Sequence, residues 1–520
     1  MLTKTFQTAF QLAATLYCVF SLSFASIAQE EDADVVPLPE KRVRLLYFSS
    51  YPEIIQNDTK PGLAELTSAI REQSAGFPNS FFIDGGASLG PSVLGSMDGG
   101  AHMIDLLNSV APALMALGKK ELSYGYDSFI VNSLAATFPI ITTNLVNAKS
   151  GMPIENTEQS YLMESPPLNI GFAALTSANA IIEYGATQVR DINTELAIAN
   201  AASDLLSQGA DAIILLADTD YDDLSALRKA GSVDVIFYTH NFGNPYTLDH
   251  QGILLKEGPL DNKLLVLDLW LDATGSRRTL KTKAHTVDIS TYEPAPDIAM
   301  LVSSYQTRLK QLLSKQLATV SAPFDTLQDS MRSQENAFGN LVADALLHVT
   351  NADAAIINSG SIRGNATYNE GYRISRGDIQ KELPFENSSA LIELDGYTLL
   401  KAIEHSIDCG LRRDGCFLQV SNITVTYSSD RPLGSRTEEV LINGEKLALD
   451  RQYTIAMPDF IARGSDGFSM FSNTKKISIP GTKRLIWDMV SQHLEENPQF
   501  TPSTHGRIKD IASYLQEADY

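Results

Sequence analysis

The sequence predicts an α/β protein of two domains joined by a helix. Three observations predict it. At 520 residues the chain is too long for one ordinary core, and 44% hydrophobic residues argue against a disordered polymer. Short apolar runs then alternate with amphipathic stretches, the spacing of strands with helices between them. Finally, a helical period opened by Pro296 separates the two halves.

Met1 to Phe10 carries one charge, Lys4, and an apolar run from about Leu12 to Phe24 follows, with Ser26 and Ala28 as small residues. That order reads as a secretory signal over 1–28. The alternative is an uncleaved anchor, against which the shortness of the run counts. Residues 29–41 are acidic, contain Pro, and are expected as a flexible leader.

The first domain is assigned to 42–295. Its expected strands are Val43 to Phe48, Ser80 to Asp84, Phe138 to Thr142, Asn169 to Ala173, Ala212 to Leu216 and Val233 to Phe237. Leu264 to Leu271 alternates more, as expected near an antiparallel edge. Over 296–320, Ile298, Leu301, Val302, Tyr305, Leu309, Leu312 and Leu313 keep a helical period, predicting a rigid connecting helix. The second domain, 321–520, has expected helices at Phe338 to Val349 and Tyr397 to Ile407 and a strand at Ala354 to Asn358.

The formal charge is −22. An acidic surface repels phosphate polyanions, which excludes sequence-tolerant nucleic-acid binding while permitting one nucleotide in a locally basic pocket. Cys409 and Cys416 are the cysteines beyond the signal segment. In an oxidising compartment they are expected as a disulfide, with roughly 3 kcal/mol for a small loop. Two reduced thiols are the alternative; zinc has less support, because no His or third Cys is seen at ligand spacing.

Five segments of the second domain carry the functional signal. They are Glu335-Asn-Ala-Phe-Gly-Asn-Leu-Val-Ala-Asp-Ala, Ile357-Asn-Ser-Gly-Ser-Ile-Arg363, Leu383-Pro-Phe-Glu-Asn387, Phe417-Leu-Gln-Val-Ser421 and Asp459-Phe-Ile-Ala-Arg-Gly-Ser-Asp-Gly-Phe468. In that order they resemble the C-terminal domain of the secreted 5′-nucleotidase family, which includes periplasmic UDP-sugar hydrolases. The resemblance implies an N-terminal metallophosphoesterase-like α/β sandwich, a linking helix and a C-terminal 5′-nucleotidase-type α/β domain. It also assigns a pocket. Phe385 and Phe460 match the family's base-clamping aromatics, Asp466 the carboxylate for ribose hydroxyls, and Asn358 and Arg363 the amide and guanidinium near base, ribose and phosphate. The chemistry agrees: aromatic faces hold a planar base, and a guanidinium fork suits phosphate. One departure is Gln334, six positions before Asn340, where the family usually has Arg; the nearby Arg is Arg332.

The family's first domain hydrolyses phosphoesters with two cations about 3.5 to 4 Å apart, held by hard and imidazole ligands. By alignment of flanks, Ser50 and Pro52 stand where its first Asp and His belong, and Ala87 stands at its second Asp. Lys119 replaces a ligand Asn, Lys120 the transition-state His, and Ser123 that histidine's orienting Asp. A lone His aligns near Asp218, and Thr239-His-Asn-Phe242 retains only His240 of a His pair. The resemblance thus implies a nucleotide- or nucleoside-binding protein without the two-metal centre and without a resident cofactor. The alternative is a phosphoesterase using a divalent metal through His240, Asp84 and Asp218. A third reading is a scaffold with neither activity.

Overall fold

The computed structural model describes residues 36–50, 54, 62–184, 186–218, 224, 232–239, 247–248, 254–256, 262–272, 279–385, 387–477 and 484–512. The expected signal segment, most of the leader, Pro52 and His240 lie outside the described residues. The architecture is mixed α/β, as the sequence predicts.

Two six-stranded sheets build the first half. One runs in the order Thr279–Asp288, Lys263–Asp272, Val43–Phe48, Ser80–Asp84, Leu114–Ala116, Ile140–Ile141. The other runs Thr247–Leu248, Leu254–Lys256, Val235–Tyr238, Ala212–Asp218, Ile170–Thr176, Ser160–Met163. Leu45, Tyr47, Ile83 and Leu267 of the first sheet share a core with Phe172, Leu216 and Phe237 of the second, so the sheets pack face to face. Strands buried on both faces read as unbroken apolar runs, which is why these segments were legible.

Lys263–Asp272 lies next to the antiparallel edge, as expected, and is not the edge itself. It pairs antiparallel with Val43–Phe48 on one side and with Thr279–Asp288 on the other. The edge falls to Thr279–Asp288, whose mostly polar residues, none of them buried, carry little apolar signal. The buried charge on this strand, Asp268, sits opposite Arg44 and accepts its Nε and Nη2 at 2.7 and 2.9 Å, because a buried carboxylate needs a paired cation.

The helix from Pro296 ends at Leu313, short of the expected Val320. Gln316–Val320 is instead a strand, antiparallel to Arg373–Ser375 and parallel to Gln499–Phe500. Leu317, Ala318 and Val320 bury into the core of the second half, a gain that continued helix would forgo. Ile298 and Val302 bury in the first-half core, with Leu301, Tyr305, Leu309 and Leu312 packed against it. The helix is therefore laid on the first half along its length.

A five-stranded sheet organises the second half, in the order Leu418–Ser421, Ala354–Asn358, Gln452–Pro458, Ser389–Asp395, Lys475–Ile477. Helices Ala337–Thr350 and Ile486–Glu496 cover one face. Gly396–Arg412 and the Ile423–Tyr427/Thr437–Ile442 pair cover the other. The Glu335–Ala345 segment has structural duties. Asn336 caps its helix by accepting Phe338 N and Gly339 N at 2.8 and 3.3 Å. Glu335 accepts His505 N and Arg507 N, both at 2.8 Å, and Asn340 Nδ2 at 2.7 Å, which ties the helix to the end of the chain. Gly339 is required by Gln419: a Cβ there would lie 2.5 Å from Gln419 Cγ. That glutamine accepts Asn336 N at 2.9 Å and donates to Met331 O and Gln334 O at 3.0 and 2.8 Å.

The halves meet where Val93 and Met97 pack on the second core. Beside them lies a cleft of about 300 Å³ lined by Ser96, Ser123, Tyr124 and Tyr184 from one half and Arg484 and Asp488 from the other.

Candidate functional site

Parallel strands of the first half end together, the usual place for a site in such sheets. Asp84 closes Ser80–Asp84, Asp218 closes Ala212–Asp218, and Thr239 follows Val235–Tyr238. Each group there is engaged by the chain itself. Asp84 Oδ1 accepts Gly86 N at 2.9 Å and Ser88 Oγ at 2.7 Å. Asp218 accepts the backbone N–H of Lys119. Ser50 Oγ donates to Thr239 O at 3.3 Å, and Thr239 Oγ1 to Gly85 O at 2.9 Å.

Sequence reasoning passed over Glu121, although it directly follows Lys119 and Lys120. Its Oε2 accepts Ala87 N at 2.9 Å, and its Oε1 accepts Ser88 N and Leu89 N at 2.7 and 3.2 Å. The loop carrying Ala87 is thus folded around a buried glutamate. Ala87 itself is buried in the left-handed region at φ 58°. Burial pushes the Asp84 carboxyl up to about 6 and the Glu121 carboxyl up to about 7, and Asp84 and Asp218 add repulsion at Glu121. Tyr47, stacked on Phe237 at 4.4 Å, donates to Tyr238 O at 3.2 Å; burial raises its phenol far above its ordinary range. Gly118 is held close by the same groups, since a Cβ there would come within 2.8 Å of Ala87 N, Asp218 Oδ2 and Glu121 Oε2.

In the second half, strand Ala354–Asn358 ends on Asn358, which is buried. Its Nδ2 donates to Asp466 Oδ2 at 2.8 Å, and its Oδ1 accepts Ser361 Oγ at 2.7 Å. Asp466 adopts φ 54°, a left-handed conformation that Asp tolerates better than most residues. Arg363 and Phe385 are brought together, with the guanidinium carbon 5.4 Å from the ring centroid. Phe385 is 45% exposed, whereas Phe460 packs partly buried against the core beneath the sheet. Two contacts join the loops that carry these rings, since Asp459 N donates to Ser388 O at 2.8 Å and Asp459 Oδ1 accepts Ser388 N at 3.2 Å; Asn387 Nδ2 donates to Ser361 Oγ at 3.4 Å and ties the Phe385 loop to the turn after Asn358. Ser361 and Asn387 were not singled out by sequence, although both lie in the quoted segments. Gln334, at the departure from the family pattern, has an exposed side chain.

The profile of the 5′-nucleotidase C-terminal domain matches residues 316–473, beginning at the Gln316–Val320 strand. Human 5′-nucleotidase is 23% identical over 493 residues, covering 86% of this chain and 85% of its own. Residues 316–473 are a 5′-nucleotidase C-terminal domain. Two solved structures share the two-domain fold of a metallophosphoesterase domain followed by a nucleotidase domain. NAD nucleotidase of Haemophilus influenzae superposes with TM-score 0.67 at 14% identity, over 90% of this chain and 99% of that one. A 5′-nucleotidase precursor from Thermus thermophilus does so with TM-score 0.54 at 20% identity, over 90% and 99%.

Within this 5′-nucleotidase C-terminal domain the expected disulfide is present between Cys409 and Cys416, with Cα atoms 5.5 Å apart. The reading that no histidine stands at ligand spacing to the cysteines is corrected. His405 lies one helical turn before Cys409, and its ligand atom and the two sulfurs all fall within 4.8 Å of one another. It is the one such group of three found among the described residues. The i, i+4 spacing was the available signal, missed because the pair was read as a loop.

Proposed function

We propose that this chain is a secreted or periplasmic member of the family that binds a nucleotide or nucleoside in its second domain and has lost the two-metal centre of its first. In this reading the first domain extends through residue 295, the second holds the ligand through Asn358, Arg363, Phe385, Phe460 and Asp466, and signal 1–28 is removed. The observation that carries it is the contrast between the two sites. The loop at Ala87 is closed on Glu121 by three backbone hydrogen bonds, where a metal ligand would otherwise project. Asp84 and Asp218 already accept hydrogen bonds from the chain, and Ser50 donates to a carbonyl. These groups do not fit a dinuclear centre, so no hydrolytic step is derived through one. The second domain instead presents a polar pair, Asn358 and Asp466, beside an exposed aromatic and a guanidinium. Among the described residues no helix is long and apolar enough to cross a membrane.

A second reading, hydrolysis of nucleotides through a divalent metal on Asp84, Asp218 and His240, is favoured by relatives that are named 5′-nucleotidase. One preparation separates the two. Protein purified without chelator is assayed for bound metal and for phosphate release from AMP, and titrated with adenosine by calorimetry. The first reading expects far less than one equivalent of metal, no turnover above His240→Ala, and saturable binding. An equivalent of metal with chelator-sensitive turnover establishes the second.

A further inference from the structure

The Cys409–Cys416 bridge closes the turn between helix Gly396–Arg412 and strand Leu418–Ser421, and it touches the candidate pocket from two sides. On one side, Gly415 O accepts Gly360 N at 2.7 Å and Phe417 O accepts Ser359 N at 2.7 Å, which buttresses the turn after Asn358. On the other, His405 Nε2 lies 3.6 Å from Cys409 Sγ and 2.9 Å from Asp466 O. His405 also packs edge-on against Phe468 with centroids 4.8 Å apart, and a Cβ on Gly467 would meet its ring. The imidazole lines an open groove of about 880 Å³ beside the Thr437–Ile442 strand, so solutes reach it from solvent.

We propose that opening this disulfide converts His405, Cys409 and Cys416 into a three-ligand site for a thiophilic divalent cation such as Zn²⁺. A dithiol reductant supplies the two electrons. Its thiolate attacks the Cys416 sulfur, the more accessible of the two; the S–S bond breaks and Cys409 leaves as thiolate. The reductant's second thiol then closes its own disulfide and releases Cys416. The cation displaces the thiol protons to solvent and takes the lone pair of His405 Nε2, whose ring proton resides on Nδ1. Tetrahedral zinc, with bonds of about 2.3 Å to sulfur and 2.0 Å to nitrogen, brings its ligand atoms to within about 4 Å of each other. Once their bond is broken the two sulfurs separate to that spacing, while the imidazole nitrogen, already within 4.8 Å of both, has only to close slightly. A water completes the site, because among the described residues no fourth such ligand joins the group.

Nε2 cannot bind a cation and donate to Asp466 O together. Loading the site therefore withdraws His405 from the turn that presents Asp466 to Asn358. This coupling, unlike the cation site, rests on the pocket reading above.

The test uses the whole protein, oxidised or reduced with a dithiol that is then removed under nitrogen, titrated with Co²⁺. Reduced protein is expected to show thiolate-to-cobalt charge transfer saturating at one equivalent, and oxidised protein none. His405→Gln, which keeps a donor for Asp466 O, should weaken Co²⁺ at least tenfold; circular dichroism checks its fold. No thiolate band in the reduced protein, or equal affinity in His405→Gln, overturns the site. Adenosine affinity of reduced protein is then compared with and without Zn²⁺, expecting at least fivefold weakening, and an unchanged value removes the coupling. If adenosine fails to bind even the oxidised protein, the pocket reading falls while the cobalt spectra still decide the cation site.

Discussion

Asn358 donates to Asp466 Oδ2 at 2.8 Å although 108 residues separate them. One residue ends a central strand; the other sits on a turn whose left-handed backbone aims its carboxylate back at that strand. A hydrogen bond to a charged group contributes about 1.5 to 3 kcal/mol. Asp466→Ala should therefore lower adenosine affinity by roughly tenfold to a hundredfold in calorimetric titration. Binding within twofold of the unaltered protein would show that Asp466 does not contact the ligand.

The two aromatics should separate binding from stability. Phe385 is 45% exposed, so Phe385→Ala is expected to change unfolding stability by no more than about 0.5 kcal/mol. It should still cost about 1 to 3 kcal/mol of ligand stacking. Phe460 rests on the core, and Phe460→Ala should lose in both measurements. Thermal unfolding and calorimetry on the same samples check the pair.

Glu121 and Asp84 make stability pH-dependent in a defined direction. Burial holds their folded values up at about 7 and about 6, above the ordinary carboxylate range, so between roughly pH 4 and 7 the folded state binds more protons than the unfolded. Stability from these groups is full at the acid end, falls as pH rises through the folded values, and is level above them. Glu121→Gln removes one contribution. Its stability relative to the unaltered protein should rise by about 2 kcal/mol between pH 5 and pH 8, since each tenfold difference in proton affinity is worth about 1.4 kcal/mol. Denaturant midpoints at the two pH values measure it, and a difference that does not move with pH refutes the assignment.

Chelation should leave the oxidised protein unchanged. With the Ala87 loop closed on Glu121 and Asp218 bonded to Lys119 N, no cation is needed to hold the strand ends together. Overnight treatment with a strong chelator is expected to alter neither the melting temperature nor adenosine affinity. A fall of several degrees would restore a metal to the first domain.

Gly339→Ala should destabilise the second domain by about 2 to 3 kcal/mol. The added methyl meets Gln419 Cγ at 2.5 Å, and that side chain makes three hydrogen bonds, two of them buried, to the segment before the helix. A denaturant midpoint equal to that of the unaltered protein would mean that Gln419 relaxes without cost.

Much of the fold was legible because its signals are local. Apolar runs mark strands such as Val43–Phe48 and Ala212–Asp218 by their own composition, and Asn336 before Phe338 announces a helix start. The cysteine pair was legible for a related reason, since it closes a short segment of its own, whereas the candidate ligand residues were named through the family resemblance. Thr279–Asp288 was missed because an exposed edge strand needs no apolar signature, and the end of the Pro296 helix because Gln316–Val320 is decided by partners at Arg373–Ser375 and Gln499–Phe500.

By itself, then, the sequence determined the α/β class, the two-domain arrangement, the buried core strands and the cysteine pairing. Only the tertiary structure decided that Glu121 closes the Ala87 loop, that Asn358 meets Asp466, and that His405 stands between the disulfide and that pair. The reason is physical: periodicity and capping are set by neighbours within a few residues, whereas these contacts depend on which strands lie side by side and which turns face each other across the sheet.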